Sequence, residues 1–417
     1  MLTLDLTQTV AFAGAILFLG YGIRRLLPFL GRYNIPAPVI GGLLVAIAVW
    51  IARGRTAELF VFDTTLQAPL MIAFFTTVGF GASLGLLRIG GPQVLLMFVL
   101  ATVFAVVQNV IGMAIAVPFG LDPLFGVLAG SVTLTGGPAT GLAFAPQFEE
   151  AGVAGAATIA VAAAMAGIVS GGLIGSPIGT RLIEKHGLRS GRAAGAEPGT
   201  VPHGGAADTV EERVPAAVEP RPTQVPEGED DGSFVLLKAV VAILIAMWLG
   251  SWVSAWFVSL GITLPAYIGA MLVAAVIRNI DDVTGIVKLP ARAIDDVGNV
   301  ALSLFLVMAL MTLKLWELAG LALPLLVIIL AQLAAVAAFA YWLIFRFFGR
   351  DYEAAVMGGG FIGFMMGTTA NAMANMRSLV EKFGGAPRAF LVVPMVGAFF
   401  IDFTNAIIIT LFLNLFG

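Results

Sequence analysis

The sequence predicts an all-α polytopic membrane protein made of two inverted repeats of five transmembrane helices, each repeat carrying a re-entrant or broken Gly-rich segment. Three observations predict it: the composition, ten apolar runs divided by one polar stretch, and motifs that recur in the same order in both halves. The 417 residues are 59% hydrophobic and only 11% charged, where a soluble domain carries about 25% charged residues. Mean hydropathy is +1.00, and the bilayer is the solvent that suits such a chain. The 50 glycines suit helices that pack through small residues. There is no cysteine, which excludes disulfides and Cys-ligated metal. His186 and His203 both fall in a polar stretch, which excludes a histidine-ligated metal centre within the membrane. No cofactor is expected, and the net charge of −3 points to no nucleic acid. The start, MLTLDLTQ, lacks the basic region of a signal peptide, so the first apolar run is expected to be retained as a span.

The expected span cores are 9–23, 37–52, 68–87, 93–118 and 153–180, then 234–259, 264–280, 297–316, 322–346 and 387–415. Two further apolar stretches, 122–150 and 352–383, are crowded with Gly, Thr and Asn and suit broken or non-helical backbone. Residues 184–232 are rich in Pro, Gly and acid and read as a flexible linker that cannot bury a core. The expected organisation is therefore an N-terminal repeat 1–183, a linker 184–232 and a C-terminal repeat 233–417. With the N-terminus periplasmic, all of the 22 Lys and Arg except Arg53, Arg55 and Lys314 become cytoplasmic. That bias puts both termini in the periplasm and the linker in the cytoplasm.

The halves echo one another. Ile35–Ala46 (IPAPVIGGLLVA) matches Leu264–Ala274 (LPAYIGAMLVA), and the run ending at Pro92 matches the run ending at Pro324. Phe119-Gly-Leu-Asp122 matches Phe348-Gly-Arg-Asp351, and each leads into a Gly-rich stretch. Five spans per half is an odd number, so the second half must sit upside down relative to the first, a recurring plan of secondary transporters.

The Gly-rich stretches, Ala129–Gly141 and Met357–Asn375, are where chemistry is expected. Glycine lets backbone turn sharply and approach a ligand. Unwound backbone offers carbonyls to a bare cation, and helix restarts offer N–H groups to a carboxylate. The candidate substrate-binding residues are Thr135, Gly136, Gly137, Thr140, Gly363, Gly367, Thr368, Thr369, Asn371 and Asn375. The candidate sodium-binding residues are Ser131, Thr133, Gly359, Gly360, Asp402 and Asn405, hard oxygen donors of the kind sodium favours. Asp402 lies inside the last span, where a carboxylate needs a partner or a cavity, and Asn405 follows about one turn on. Gln108 and Asn109 read as polar glue between helices. Asp122 and Asp351 read as helix N-caps, and Arg377 as an anchor at the cytoplasmic surface. An intramembrane enzyme fits less well, because the chain shows no His-containing membrane motif and no convincing nucleophile–base pair, and a channel is a remote alternative that accumulation of substrate above equilibrium would exclude.

Five runs resemble the bacterial sodium/glutamate symporter family. They are IPAPVIGGLLVA at 35–46, QAPLMIAFFTTVGF at 67–80, GLDPLFGVLAGSVTLTGG at 120–137, NVALSLFLVMALMTLKLWELAGLALP at 299–324 and RAFLVVPMVGAFFIDFTNAI at 388–407. The resemblance implies sodium-coupled glutamate import, ten spans, two opposed re-entrant segments, a homodimer and a bacterial inner-membrane location. The family is related in fold to 2-hydroxycarboxylate transporters, which move a substrate-carrying domain against a scaffold, an elevator type of alternating access. Two runs depart from the family pattern. Gly136-Gly-Pro-Ala-Thr-Gly141 stands where members have a GGHGTG-like run. In 359–376 a His, a Cys and one Pro are replaced, and Met365, Met366 and Asn371 appear. A symporter for another small carboxylate, such as a dicarboxylate or hydroxycarboxylate, or one coupled to protons through Asp402, remains an open alternative.

Overall fold

The computed structural model describes residues 2–53, 60–190, 231–259, 265–318 and 320–417. Almost every described residue is helical. A short parallel pair, β1 (Leu2–Leu4) and β2 (Phe60–Phe62), is the one sheet among them. The helices of the first half are α1 (Leu6–Leu26), α2 (Pro28–Arg32), α3 (Ala37–Arg53), α4 (Gln67–Gly81), α5 (Leu84–Ala116), α6 (Pro123–Val127), α7 (Gly137–Glu150) and α8 (Ala156–His186). Those of the second half are α9 (Asp231–Ser259), α10 (Ala266–Thr284), α11 (Ala291–Met311), α12 (Ala322–Phe339), α13 (Phe345–Phe347), α14 (Tyr352–Met365), α15 (Thr369–Phe383), α16 (Pro387–Met395) and α17 (Ile401–Phe416). Of the expected linker, 184–186 still belong to α8, and residues 191–230 lie outside the described residues, as do Arg55, His203 and Leu264.

Six described helices are long and apolar enough to cross a membrane: Leu6–Leu26, Gly91–Phe119, Ala156–His186, Gly232–Ser259, Ala291–Met311 and Ala322–Phe347. The molecule is thus a polytopic membrane protein. Other expected spans are shorter apolar helices, among them Gln67–Gly81 and Ile401–Phe416. The expected span 68–87 ends early, because the chain leaves the helix at Ala82 and Ser83 and restarts at Leu84.

Local chemistry sets the helix ends. Asp5 caps α1 by accepting from Gln8 N at 2.8 Å, while the Gln8 side chain accepts from Asp5 N at 3.0 Å, a reciprocal capping box. Arg24 and Arg25 sit in the last turn of α1, where cations favour the helix C-terminus. Gly187 closes α8 in the left-handed conformation, with φ 60°. Inside α5, Gly91 has φ 63° and ψ −163°, a kink directly before Pro92. The Gly permits the turn, and the Pro supplies no N–H to continue the ladder.

The helices pack chiefly within two groups. One comprises α1, α3, α4, α9, α10 and α11, and the other comprises α5–α8 with α12–α17. Contacts run in parallel order in the two halves. In the first group α1 packs on α3 as α9 packs on α10, and α3 packs on α11 as α10 packs on α4. In the second group α5 packs on α12. The two groups meet where α7 touches α11 and where an apolar layer of Leu142, Val161, Leu306, Ala309 and Leu310 lies between α7–α8 and α11.

The crossover from α4 to α5 is fastened to α10. Asn279 Nδ2 donates to Ala82 O at 2.8 Å, Leu84 N donates to Asn279 Oδ1 at 2.8 Å, and Ser83 Oγ donates to Asp282 Oδ2 at 2.6 Å. Asp281, just past the apolar part of α10, accepts from the backbone N–H groups of Val287, Lys288 and Leu289 at 2.8, 2.9 and 2.7 Å. Burial pushes its carboxyl up. The three donors and the nearby Arg278 outweigh that and hold it below the ordinary carboxylate range.

Two outcomes test this account. Gly112 and Gly126 let α5 and α6 cross so closely that a Cβ on Gly126 would lie 2.2 Å from Gly112 O, whereas a Cβ on Gly172 meets nothing within 4 Å. Gly126→Ala is therefore expected to destabilise by about 1–3 kcal/mol, and Gly172→Ala to be neutral or mildly stabilising, as read from thermal midpoints in detergent. Because the Asp281 pKa is lowered on folding, its contribution is complete above the unfolded carboxylate value of about 4 and fades as pH falls through the lower folded value. Asp281→Ala is expected to lower the thermal midpoint at neutral pH and to narrow the gap to the native protein in acid, measured by melts across that window.

Candidate functional site

Each Gly-rich stretch folds as helix, break, helix. In the first, α6 runs through a π turn (Leu128–Val132) distorted at Gly130, with φ −99° and ψ −128°, stays helical through Thr133 and Leu134, and breaks at Thr135 and Gly136 before α7. In the second, α14 ends at Met365, residues 366–368 are non-helical, and α15 starts from an N-cap at Thr368. Both stretches open on the expected caps: Asp122 accepts from Leu124 N at 2.7 Å and Asp351 from Ala354 N at 2.8 Å. Arg388 pairs with Asp351, its Nη2 lying 2.7 Å from Oδ1. The breaks adjoin, since a Cβ on Gly137 would lie 3.5 Å from Gly367 O.

A break in a buried helix leaves backbone groups without their helical partners, and here buried side-chain amides supply replacements. At the first break, Asn109 Oδ1 accepts from Ser131 N at 2.9 Å and Asn405 Nδ2 donates to Ser131 O at 3.0 Å. Thr133 Oγ1 donates to Leu128 O at 2.8 Å, and Thr135 Oγ1 donates to Gln108 Oε1 at 2.6 Å. At the second break, Gln108 Nε2 donates to Met365 O at 2.8 Å and Thr369 Oγ1 donates to Gly397 O at 2.7 Å. Asn371 Nδ2 donates to Ile168 O at 2.8 Å, and Asn375 Nδ2 reaches Gly171 O at 3.1 Å and Gly359 O at 3.2 Å.

Several polar atoms here are buried without a partner among the described residues: Ser131 Oγ, Asn405 Oδ1, Asn109 Nδ2, Asn371 Oδ1 and Gln332 Oε1. Leaving one such group unpaired costs about 1–3 kcal/mol. Ser131 and Asn405 are fully buried, and each contributes an oxygen with free lone pairs to one locality. Neutral hard oxygens of this kind match an alkali cation. Asp402, one turn before Asn405, is half-buried and has no ion pair or hydrogen bond among the described residues. The segment just before it, Val396–Phe400, is a π turn, an irregularity frequent at functional positions.

The structure brings together Ser131, Thr133 and Thr135 around the first break, with Asn405 bonded to Ser131 O, and gathers Gly367, Thr368, Thr369 and Asn371 around the second. Gly136 and Thr140 touch, and Gly137 faces Gly367. Gly359 and Gly360 sit apart from the breaks, in the regular body of α14, where Gly359 faces Gly175 and Leu379 and Gly360 faces Met376 and Val393. Gly363 packs on Ala372, joining α14 to α15. Arg377 is exposed on α15. A separate cavity of about 370 Å³ lies between the two groups, lined by Gln67, Leu142, Thr158, Thr312, Lys314 and Glu317 among others, and none of the sequence-chosen residues lines it. Gln332 and Tyr267 belong to the same buried surroundings and were not singled out by sequence. The available signal for Gln332 was a lone amide inside a span.

The site thus belongs to a polytopic membrane protein in which two broken helices meet at buried polar atoms. A family model described as sodium/glutamate symporter matches residues 2–385. The sodium/glutamate symporter of Escherichia coli (strain K12) is 41% identical over 416 residues, covering 100% of this chain and 99% of that protein. That of Haemophilus influenzae is 36% identical over 407 residues, covering 97% and 96%. The chain belongs to the sodium/glutamate symporter family, whose named members are transporters and not enzymes.

Proposed function

We propose that the protein is a sodium-coupled secondary transporter that imports glutamate across the bacterial inner membrane. The observation that carries the reading is the pair of partnerless buried oxygens, Ser131 Oγ and Asn405 Oδ1, where a broken helix meets α17. Full-length kinship with proteins named sodium/glutamate symporters supports the choice of cargo. Sodium binds at Ser131, Thr133 and Asn405, with Asp402 supplying charge. The substrate carboxylates meet the N–H groups and hydroxyls at Thr135–Thr140 and Thr368–Asn371, where α7 and α15 begin and the helix dipole favours an anion. Sodium neutralises the approach of the anion, and the membrane potential drives net inward charge.

The halves form inverted repeats, 1–183 and 233–417, of five spans and one re-entrant segment each, joined by a cytoplasmic linker at 184–232 with both termini periplasmic. The parallel contact order of the halves supports this reading. The group α1, α3, α4, α9, α10 and α11 serves as scaffold and dimer platform. The group carrying both breaks moves against it in an elevator type of alternating access. The separation of contacts into two groups supports that division.

Proteoliposomes with an inward sodium gradient are expected to accumulate radiolabelled glutamate above equilibrium, which a channel cannot do. Asp402→Asn is expected to raise the sodium concentration for half-maximal uptake about tenfold, the loss of one ionic contact worth about 1.4 kcal/mol. Accumulation driven equally by a proton gradient without sodium would overturn the coupling assignment, and strong competition by another small acid with weak glutamate uptake would overturn the cargo. Because the chain contains no cysteine, single cysteines can map topology without background. Cysteines at Ala139 and at Ala374 are expected to be alkylated from opposite faces of the membrane, and labelling of both from one face only would end the inverted plan.

A further inference from the structure

Gln108 is completely buried on α5, and its side-chain amide bonds to both broken segments at once. Its Oε1 accepts from Thr135 Oγ1 of the first break at 2.6 Å, and its Nε2 donates to Met365 O, the last residue of α14 before the second break, at 2.8 Å. Its own carbonyl accepts from Gln332 Nε2 of α12 at 2.6 Å, so α5 is tied to α12 at the same residue. The next residue, Asn109, holds Ser131 N at 2.9 Å. One turn of α5 therefore grips the residue that offers a free hydroxyl to a cation and, through its neighbour, the carbonyl that ends the opposite segment.

We propose that Gln108 is the positioning residue that couples the two breaks, so that sodium bound beside Ser131 sets the geometry of the substrate-facing residues that follow Met365. The inference rests on the sodium-coupled reading above. A primary amide is suited to the task because it has a donor and an acceptor on one rigid plane. A carboxylate at 108 would lose the donor to Met365 O, and an asparagine would fall short by one methylene. Movement of Ser131 on cation binding is passed to Asn109, to the turn of α5 and to Met365 O. Thr368, three residues on, caps α15 through Asn371 N. Gln332 braces the turn, so the displacement is delivered across the site and not lost by bending α5.

The test uses the full chain with Gln108→Met, which keeps side-chain length and volume but makes neither hydrogen bond. In proteoliposomes the apparent glutamate KM of the native protein is expected to fall as sodium rises. In Gln108→Met that dependence is expected to flatten, with the half-saturating sodium concentration raised about tenfold, the scale set by a buried carbonyl left without its donor. A purely structural role would lower the amount of active protein and the maximal rate while leaving the sodium response of KM intact, and that result would overturn the proposal. Thr135→Val, which removes the bond accepted by Gln108 Oε1 while leaving Met365 O its donor, provides a second variant should Gln108→Met not fold. It is expected to shift the sodium response in the same direction by a smaller factor, and an unchanged response in it would count equally against the proposal.

A readout independent of glutamate separates the two levels of inference. With a cysteine at Ala139 in this cysteine-free chain, sodium in place of choline is expected to slow maleimide alkylation, and Gln108→Met is expected to remove the difference. A sodium effect that persists unchanged in Gln108→Met overturns the positioning role alone. No sodium effect in the Ala139→Cys background overturns the sodium reading and the positioning role together.

Discussion

Hydrocarbon offers nothing to hydrogen-bond with, and the rest of the molecule answers to that fact. A backbone N–H or C=O that leaves its helix inside the bilayer must find a protein partner or cost several kcal/mol. This chain leaves the helix twice at depth, over 135–136 and 366–368. Around those places gather buried amides: Gln108, Asn109, Asn371, Asn375 and Asn405. Gln108, Asn109 and Asn405 each spend one end of the amide on backbone beside a break, while Asn371 and Asn375 bond to carbonyls of α8 and α14 next to it. For three of them the other end has no protein partner. Structural repair of the breaks and readiness for a polar guest are thus carried by the same side chains.

The packing follows from the same solvent. Burial of apolar surface does not drive helices together within lipid, so close fit and small residues must. The α5–α6 crossing at Gly112 and Gly126 brings backbones nearly into contact. It fixes the start of the first Gly-rich stretch against the helix that carries Gln108. Larger side chains mark where the two helix groups face each other, at Leu142, Val161, Leu306 and Leu310. The layer is apolar, with Thr158 Oγ1 donating to Lys314 O at its edge.

Much of this was legible in the sequence, and the gaps have physical reasons. Composition and run length gave the membrane class and most helices. FGxD located both N-caps, because a side-chain carboxylate at a helix start is a local signal. The glycine stretches located the breaks to within a few residues. What could not be read was which glycine served which purpose. Gly137 faces the opposite break, while Gly359 and Gly360 lie within regular α14 against neighbouring helices. A glycine run looks the same whether it permits unwinding or close packing. Gln108 and Asn109 were visible as a polar pair, but their bond partners stand 22 to 257 residues away, and no local pattern records such distances. Tyr267, stacked on Phe75 at 4.0 Å, was indistinguishable by sequence from an ordinary aromatic of a span.

The grip of Asn279 and Asp282 on Ala82–Leu84 also sets a tether length. That grip belongs to the first helix group, and the chain joins the second after the Gly91 kink. Residues 85–91 are the stretch of chain that links the grip to the kink. As helix they reach about 10 Å, and drawn out fully about 23 Å. In the proposed movement of one group past the other, these lengths would cap the travel at this crossing while the grip holds. A longer stroke would first have to unpick Asn279 from the chain.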